Sequence, residues 1–262
     1  SFTETLQQFD WIGVLFLAGA TVTFVIYLSS RPITGVPPFR DFKLLIPAIV
    51  LLSSFIVREK RFSRPFVPLR LFGYKNFTTA SLLAGLRMIS MAGANVAVPL
   101  MIAEYHNLSA SWLGISFMII AASVFATMRL GGILSDRWNN KKPIIIGAAL
   151  QSTMMLFLGF AGPHYPLLIV GMVGHGLGAG LTIAAIHRNA LDHVPDLETG
   201  LAAGLYTTIR FTGATIGSAL AGVLLHAGLE RAPDAPTAYL IVFWVLAVFN
   251  AGGALLATRL HS

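Results

Sequence analysis

The chain contains no cysteine. Disulfides, thiolate metal sites and cysteine nucleophiles are therefore excluded, although for a chain rich in membrane spans this says little about compartment. Charge is also scarce. Asp, Glu, Lys and Arg make up 11% of the 262 residues, against roughly 25% in a soluble domain. Acids are the rarer sign, 11 against 18 Lys and Arg, for a net charge of +7. Missing too is the strict alternation over about 10 residues that marks outer-membrane strands. What remains is apolar: 55% of the residues are hydrophobic and mean hydropathy is +0.74. No single soluble core accommodates that excess, and the apolar residues are gathered into runs long enough to cross a bilayer. The composition describes an all-α integral membrane protein.

Eight spans are expected: residues 11–29, 44–57, 77–103, 112–134, 143–162, 165–187, 200–227 and 238–257. In hydrocarbon a helix satisfies its own backbone, which favours helices of this length. The second span is the weak one, because its apolar run is short and either borrows Phe42 and Lys43 as a snorkelling end or is re-entrant. Pro37-Pro38, Gly162-Pro163, Pro195, Pro233 and Pro236 punctuate the connections. Eleven Lys and Arg fall in the connections after spans 2, 4 and 6 and in the C-terminal tail, against four in the alternate connections. That excess places both termini of the segment in the cytoplasm, in a plasma or inner membrane. It also explains the basic balance better than nucleic acid does. The first residue is Ser, and no signal-peptide pattern precedes the first span.

Between spans 4 and 5 lies GGILSDRWNNKK, residues 131–142, expected as a cytoplasmic turn. Its two glycines permit close helix approach. Asp136 near a helix C-terminus opposes the helix dipole and needs a cationic or helix N-terminal partner elsewhere. Lys141 and Lys142 suit the cytoplasmic face and its anionic headgroups. On spacing alone, a loop that merely enforces topology remains an adequate reading.

Gly132, Asp136, Arg137, Lys141 and Lys142 are similar to the loop motif of the major facilitator superfamily, with Asn139 where the family has its second glycine. Residues 195–222, PDLETGLAAGLYTTIRFTGATIGSALAG, resemble the penultimate helix of the fourteen-helix drug:proton antiporters of the EmrB/QacA type. The stretches RPFVPLRLFGYKNFTTA and FDWIG resemble the lead into that group's second bundle and the entry to its central helix pair. The resemblance implies a central pair over residues 1–57, a basic cytoplasmic linker over 58–76 and a C-terminal six-helix bundle over 77–262. It further implies proton-coupled export by alternating access around a cavity between two six-helix halves. The N-terminal half, with an acidic proton-coupling group, would lie outside this chain.

Ionisable groups inside spans call for a reason, since a central Arg costs about 2.5–3.5 kcal/mol on insertion scales. Arg87, Met91 and Asn95 fall at i, i+4 and i+8, one stripe of a helix near the midplane. They either face a transport cavity or, for Arg87, pair with carbonyls or Glu104. His175, inside GMVGHGLGAG, is either a proton or substrate relay or a buried histidine bonded to a neighbour. Glycines 174 and 178, and 176 and 180, are small-xxx-small pairs; a dinucleotide loop is disfavoured because no strand precedes them. Tyr206, Arg210, Gly213 and Gly217 are expected, by resemblance, along an interface with the other half. Arg129 snorkels or joins the cytoplasmic charge network.

No cofactor or metal pattern is recognised: His187 and His193 flank acids without a ligand spacing. No acid, base and nucleophile constellation supports a membrane enzyme. The basic residues 61–75 read as either an interfacial helix or a plain linker. Expected partners are the lipid bilayer, a small-molecule substrate and protons, with walls of Met and aromatics suiting hydrophobic or cationic compounds. An exporter of a narrower metabolite or sugar, and a non-transporting scaffold module, are the alternatives.

Overall fold

The computed structural model describes residues 10–28, 30, 34–36, 40–61, 69–106, 109–161, 164–192, 194–232 and 234–260, and for Glu104, Tyr105 and Ala110 the backbone alone. Among the described residues every regular element is helical. Each expected span becomes one long helix: α1 (Trp11–Leu28), α2 (Phe42–Arg61), α3 (Lys75–Leu100), α4 (Ala110–Trp138), α5 (Lys141–Ala161), α6 (Tyr165–Leu191), α7 (Thr199–Arg231) and α8 (Ala235–Ala257). Seven are long and apolar enough to cross a membrane. The exception is α2, which starts at Phe42 and carries Lys43 at one end and Arg58, Glu59, Lys60 and Arg61 at the other. Its apolar run, residues 44–57, falls short of the roughly 20 residues a span requires.

The chain divides into two units, Ser1–Gly73 and Tyr74–Ser262. In the first, α1 and α2 form an antiparallel pair. Asp10 caps α1 by accepting from the Gly13 amide at 2.9 Å, and Arg58 near the end of α2 reaches the same carboxylate at 2.7 Å. Further along, Gly19 lies against Leu51, so the contact numbers fall on one helix as they rise on the other. Much of the expected interfacial helix, residues 62–68, lies outside the described residues. The part that is described, Leu69–Gly73, is a single 3-10 turn.

In the second unit, glycine seams reveal the helix directions. A Cβ on Gly147 would stand 2.6 Å from the Gly178 carbonyl, and one on Gly171 would stand 2.6 Å from Leu158. Rising numbers on α5 therefore meet falling numbers on α6, so the two are antiparallel. Gly176 meets Ser123 and Gly180 meets Thr127, which makes α4 and α6 parallel. Gly213 abuts Gly85 and Gly217 abuts Ile89, so α3 and α7 are parallel as well. Asn250 bonds Ser90 at 2.7 Å and Gly93 meets Leu246, setting α8 antiparallel to α3. Direction alternates from each helix to the next, as successive crossings of a bilayer require.

The helices are apolar on all faces, so burying one stripe leaves others outward. Phe125, Met118 and Leu255 are each about 70% exposed, which in a bilayer is a lipid contact. A dry core of Met101, Ile102, Leu158, Leu168, Met172, Tyr239 and Phe243 fills the end of the bundle where α3 stops and α6 begins.

Candidate functional site

The GMVGHGLGAG stretch is helical throughout and turns α6 into a two-sided hinge pin. Gly174 and Gly178 lie against Met154, Gly147 and Gln151 of α5, whereas Gly176 and Gly180 lie against Ile120, Ser123, Val124 and Thr127 of α4. The two small-xxx-small pairs thus serve different neighbours, offset by two residues, or about 200° around the helix at 3.6 residues per turn. Interhelical hydrogen bonds reinforce the seams, Thr127 Oγ1 donating to the Leu177 carbonyl at 2.8 Å and Ser152 Oγ to the Ala247 carbonyl at 2.9 Å.

With the backbones this close, His175 is carried into the interior. It is 2% exposed, and although the Gln151 backbone approaches the ring, neither nitrogen reaches hydrogen-bond geometry with any described residue. The backbone that approaches the ring belongs to the neighbouring helix α5. Gln151 itself is fully buried, its Oε1 accepting from Thr182 Oγ1 at 3.5 Å while its Nε2 has no partner.

Arg87 lies on α3 two residues after Gly85, about 200° around the helix from the face that meets α7. It is 7% exposed, and its Nη1 donates to the Met91 sulfur at 3.7 Å, a weak acceptor. Its charge is felt by His175 of α6 and Tyr206 of α7, and Arg210 stands within electrostatic range of both Arg87 and Tyr206. The expected Arg87, Met91 and Asn95 stripe runs from buried through half-buried to exposed. The side chain of Glu104, the alternative partner for Arg87, lies outside the described residues.

At the helical rise of 1.5 Å, Arg87 sits roughly 18 Å from the start of α3, Arg210 roughly 17 Å from the start of α7 and His175 roughly 24 Å from the end of α6. Three helices therefore deliver their polar groups to a similar depth.

Of the four residues expected along an inter-half interface, Tyr206, Gly213 and Gly217 are buried within this unit. Gly213 and Gly217 are buried against α3 of the same unit, where any Cβ would enter the Gly85 and Ile89 carbonyls. Tyr206 is also buried, edge-on to His187 of α6 at 5.2 Å and beneath the Arg210 guanidinium at 5.6 Å. Arg210 alone of the four is half-exposed. The burial of the glycines has a simple cause: a GxxxG seam serves whichever helix approaches it, and here that helix is α3.

At the other charged feature, the expected turn over residues 131–142 is mostly helix. Gly131 to Trp138 continue α4, Lys141 begins α5, and Asn139 and Asn140 alone connect them. Asn139 adopts φ 71°, ψ 165°, and its Oδ1 accepts the Lys141 amide at 2.9 Å. Gly131 packs against Leu181 of α6, but Gly132 faces open space, so one of the two glycines serves close approach within this unit. Asp136 finds its cation in Arg188, in the last turn of α6, and both are well exposed. Asn140 Nδ2 adds a contact to Asp192 at 3.4 Å. Arg137, Lys142 and Arg129 are exposed and Lys141 is half-buried. His193 of the adjoining connection lies outside the described residues.

Sequence reading missed Arg188 as a partner, and it missed Gln151, Asn250 and Asn189, all buried within spans. The signal was present: an amide inside an apolar run is costly in the same way as an arginine.

Six seamed membrane helices that hold ionisable groups at mid-depth define a helical bundle of the transporter kind. Residues 80–261 match the Major Facilitator Superfamily, and the chain belongs to that superfamily. Over 217 residues, 82% of this chain, it is 29% identical to the uncharacterized MFS-type transporter YvkA of Bacillus subtilis (strain 168), covering 48% of that protein. Over 261 residues, 97% of this chain, it is 27% identical to the quinolone resistance protein NorB of Staphylococcus aureus (strain MRSA252), covering 54% of it. The chain spans about half the length of the curated relatives it matches.

Proposed function

We propose that the chain is the C-terminal part of a proton-coupled secondary transporter that exports drugs or other toxic hydrophobic compounds by alternating access. On this reading residues 1–57 are a central helix pair, 58–76 a cytoplasmic linker and 77–262 one of two six-helix bundles, with both termini of the segment cytoplasmic. The missing wall is an N-terminal six-helix bundle. The observation that carries the reading is that Arg87, His175 and Arg210 all lie well inside their helices, at similar depths within a bundle of this superfamily. Isolated charges at that depth are costly, and they mark transport pathways more often than packing. Similarity to a quinolone resistance protein favours a drug over a metabolite or sugar. The Asp136–Arg188 pair ties the cytoplasmic ends of α4 and α6 together, as a latch on one conformational state would.

The test is dye export driven by a pH gradient in vesicles, with the chain alone and then with a supplied N-terminal bundle. Export is expected from the paired form and abolished by a protonophore. Export by the chain alone overturns the two-half reading, and export indifferent to the protonophore overturns proton coupling.

A further inference from the structure

The charges at the candidate site are all of one sign. Between residues 74 and 262 the acids are Glu104, Asp136, Asp192, Asp196, Glu198, Glu230 and Asp234. Glu104 lies in the turn that follows α3, Asp136, Asp192 and Glu230 lie at helix ends, and the others lie in connections. None shares the depth of Arg87 and Arg210, and several are engaged locally: Asp136 with Arg188, Glu230 with His226 at 3.2 Å, Asp234 with the Thr237 amide at 2.9 Å. Arg87, nine-tenths buried, has a thioether for its side-chain partner. Arg210 lies over the faces of Tyr206 and Phe211, which leaves the N–H edge of its guanidinium free of the rings. On the parallel helices α3 and α7, Gly85 meets both Ile209 and Gly213, which sets Arg87 and Arg210 between one and five residues apart in level, roughly 2–8 Å along the axis. Two like charges held this way in a low-dielectric wall repel, and each carries five donors in a planar fork shaped for a carboxylate.

We infer that Arg87 and Arg210 form an anion site for the carboxylate of the transported compound, so that substrates are anionic or zwitterionic amphiphiles rather than cations. Met91 and Asn95, next along α3, offer a polarizable and an amide surface to the remainder of the molecule. The inference rests on the transporter reading for its substrate but on the charge pattern for its site. A carboxylate on the N-terminal bundle is the competing source of the same chemistry.

The test is equilibrium binding of tritiated 1-naphthoic acid and 1-naphthamide, near neutral pH, to the chain in nanodiscs, alone and joined with a supplied N-terminal bundle. A charge-assisted bidentate contact predicts that the acid binds at least about tenfold more tightly, in both forms. Arg87→Gln and Arg210→Gln are each expected to erase most of that preference, with Arg87→Lys retaining part. Equal binding of acid and amide by the unsubstituted chain overturns the site without relying on any variant. So does a preference that survives the double substitution. A preference shown by the chain alone but lost on pairing assigns the counter-charge to the protein and overturns the substrate claim. Preference for the acid without gradient-driven transport upholds the site and removes the export reading.

Discussion

Gly178→Ala is expected to destabilise the bundle where most glycine-to-alanine changes in a helix stabilise it. The added methyl would stand 2.7 Å from the Gly147 carbonyl, 2.8 Å from Gln151 Cγ and 3.0 Å from the Gln151 amide nitrogen. Ordinary contact begins at 3.4 Å, so α5 and α6 must separate by a large part of an ångström, and two of the three obstructing atoms are backbone. Overpacking of this kind costs about 1–3 kcal/mol. The change also removes glycine's conformational freedom in the unfolded chain, a gain of roughly 0.5–1 kcal/mol. The net expectation is a loss of about 1–2 kcal/mol. Gly222 of α7, whose added methyl meets nothing within 4 Å, isolates the favourable part, so Gly222→Ala is expected to gain roughly 0.5–1 kcal/mol. Reversible unfolding of the chain from mixed micelles by added sodium dodecyl sulfate reads both against the unsubstituted protein. Shifts of the same sign and size in the two variants would refute the seam.

Three further outcomes are expected. Asn139→Gly relieves a backbone geometry at φ 71°, ψ 165° that costs a non-glycine residue about 1–3 kcal/mol, at a loss of a few tenths for the forfeited cap. A gain near 1 kcal/mol in the same unfolding assay is expected, and an unchanged midpoint speaks against strain. Asp136→Asn breaks an exposed pair with Arg188 worth about 0.2–1 kcal/mol, so transport falls while insertion and stability hold. Restoration by the swap Asp136→Arg with Arg188→Asp is the check, and equal loss of insertion and transport returns the motif to a topology signal. Finally, Asp234 caps α8, and its bond to Thr237 holds the carboxyl below its ordinary 3.8. The depressed value makes the cap fully effective above the unfolded pKa, and it is lost as pH falls through the lower folded value. Asp234→Asn keeps the acceptor without the titration, so the acid limb of stability between those two values should flatten.

The spans were legible because hydrocarbon leaves the backbone one local solution, and residues 11–29 or 165–187 announce themselves by length and composition alone. Ends were harder. A helix does not stop where apolarity stops, so α4 carries its Asp136 and Arg137 out past residue 134 and halts at Asn139, where φ turns positive. The small-xxx-small spacing was visible, but its destination was not: glycines 213 and 217 carry no label saying which helix will fill the space, and the approach of α3 decided it. Arg188 stayed hidden for a related reason. It sits 52 residues beyond Asp136, and periodicity reports neighbours on one helix, not across two.

The same limit separates the charges from their meaning. Arg87 and Arg210 each read from sequence as a polar residue in a span, and walls of Met and aromatics suggested hydrophobic or cationic cargo. The fold adds that α3 and α7 run parallel and in contact, so that the two arginines lie at neighbouring levels, while the α4–α6 and α5–α6 seams carry His175 into the interior within about one turn of that level. Within residues 74–262 the acids lie at helix ends or in connections. A wall of one sign cannot be judged from composition, because the basic excess of 18 Lys and Arg over 11 acids is carried mostly by the connections and says nothing about depth. On the anion-site proposal a cationic substrate is the costly choice: it would enter beside two arginines, whereas a carboxylate relieves their repulsion on arrival.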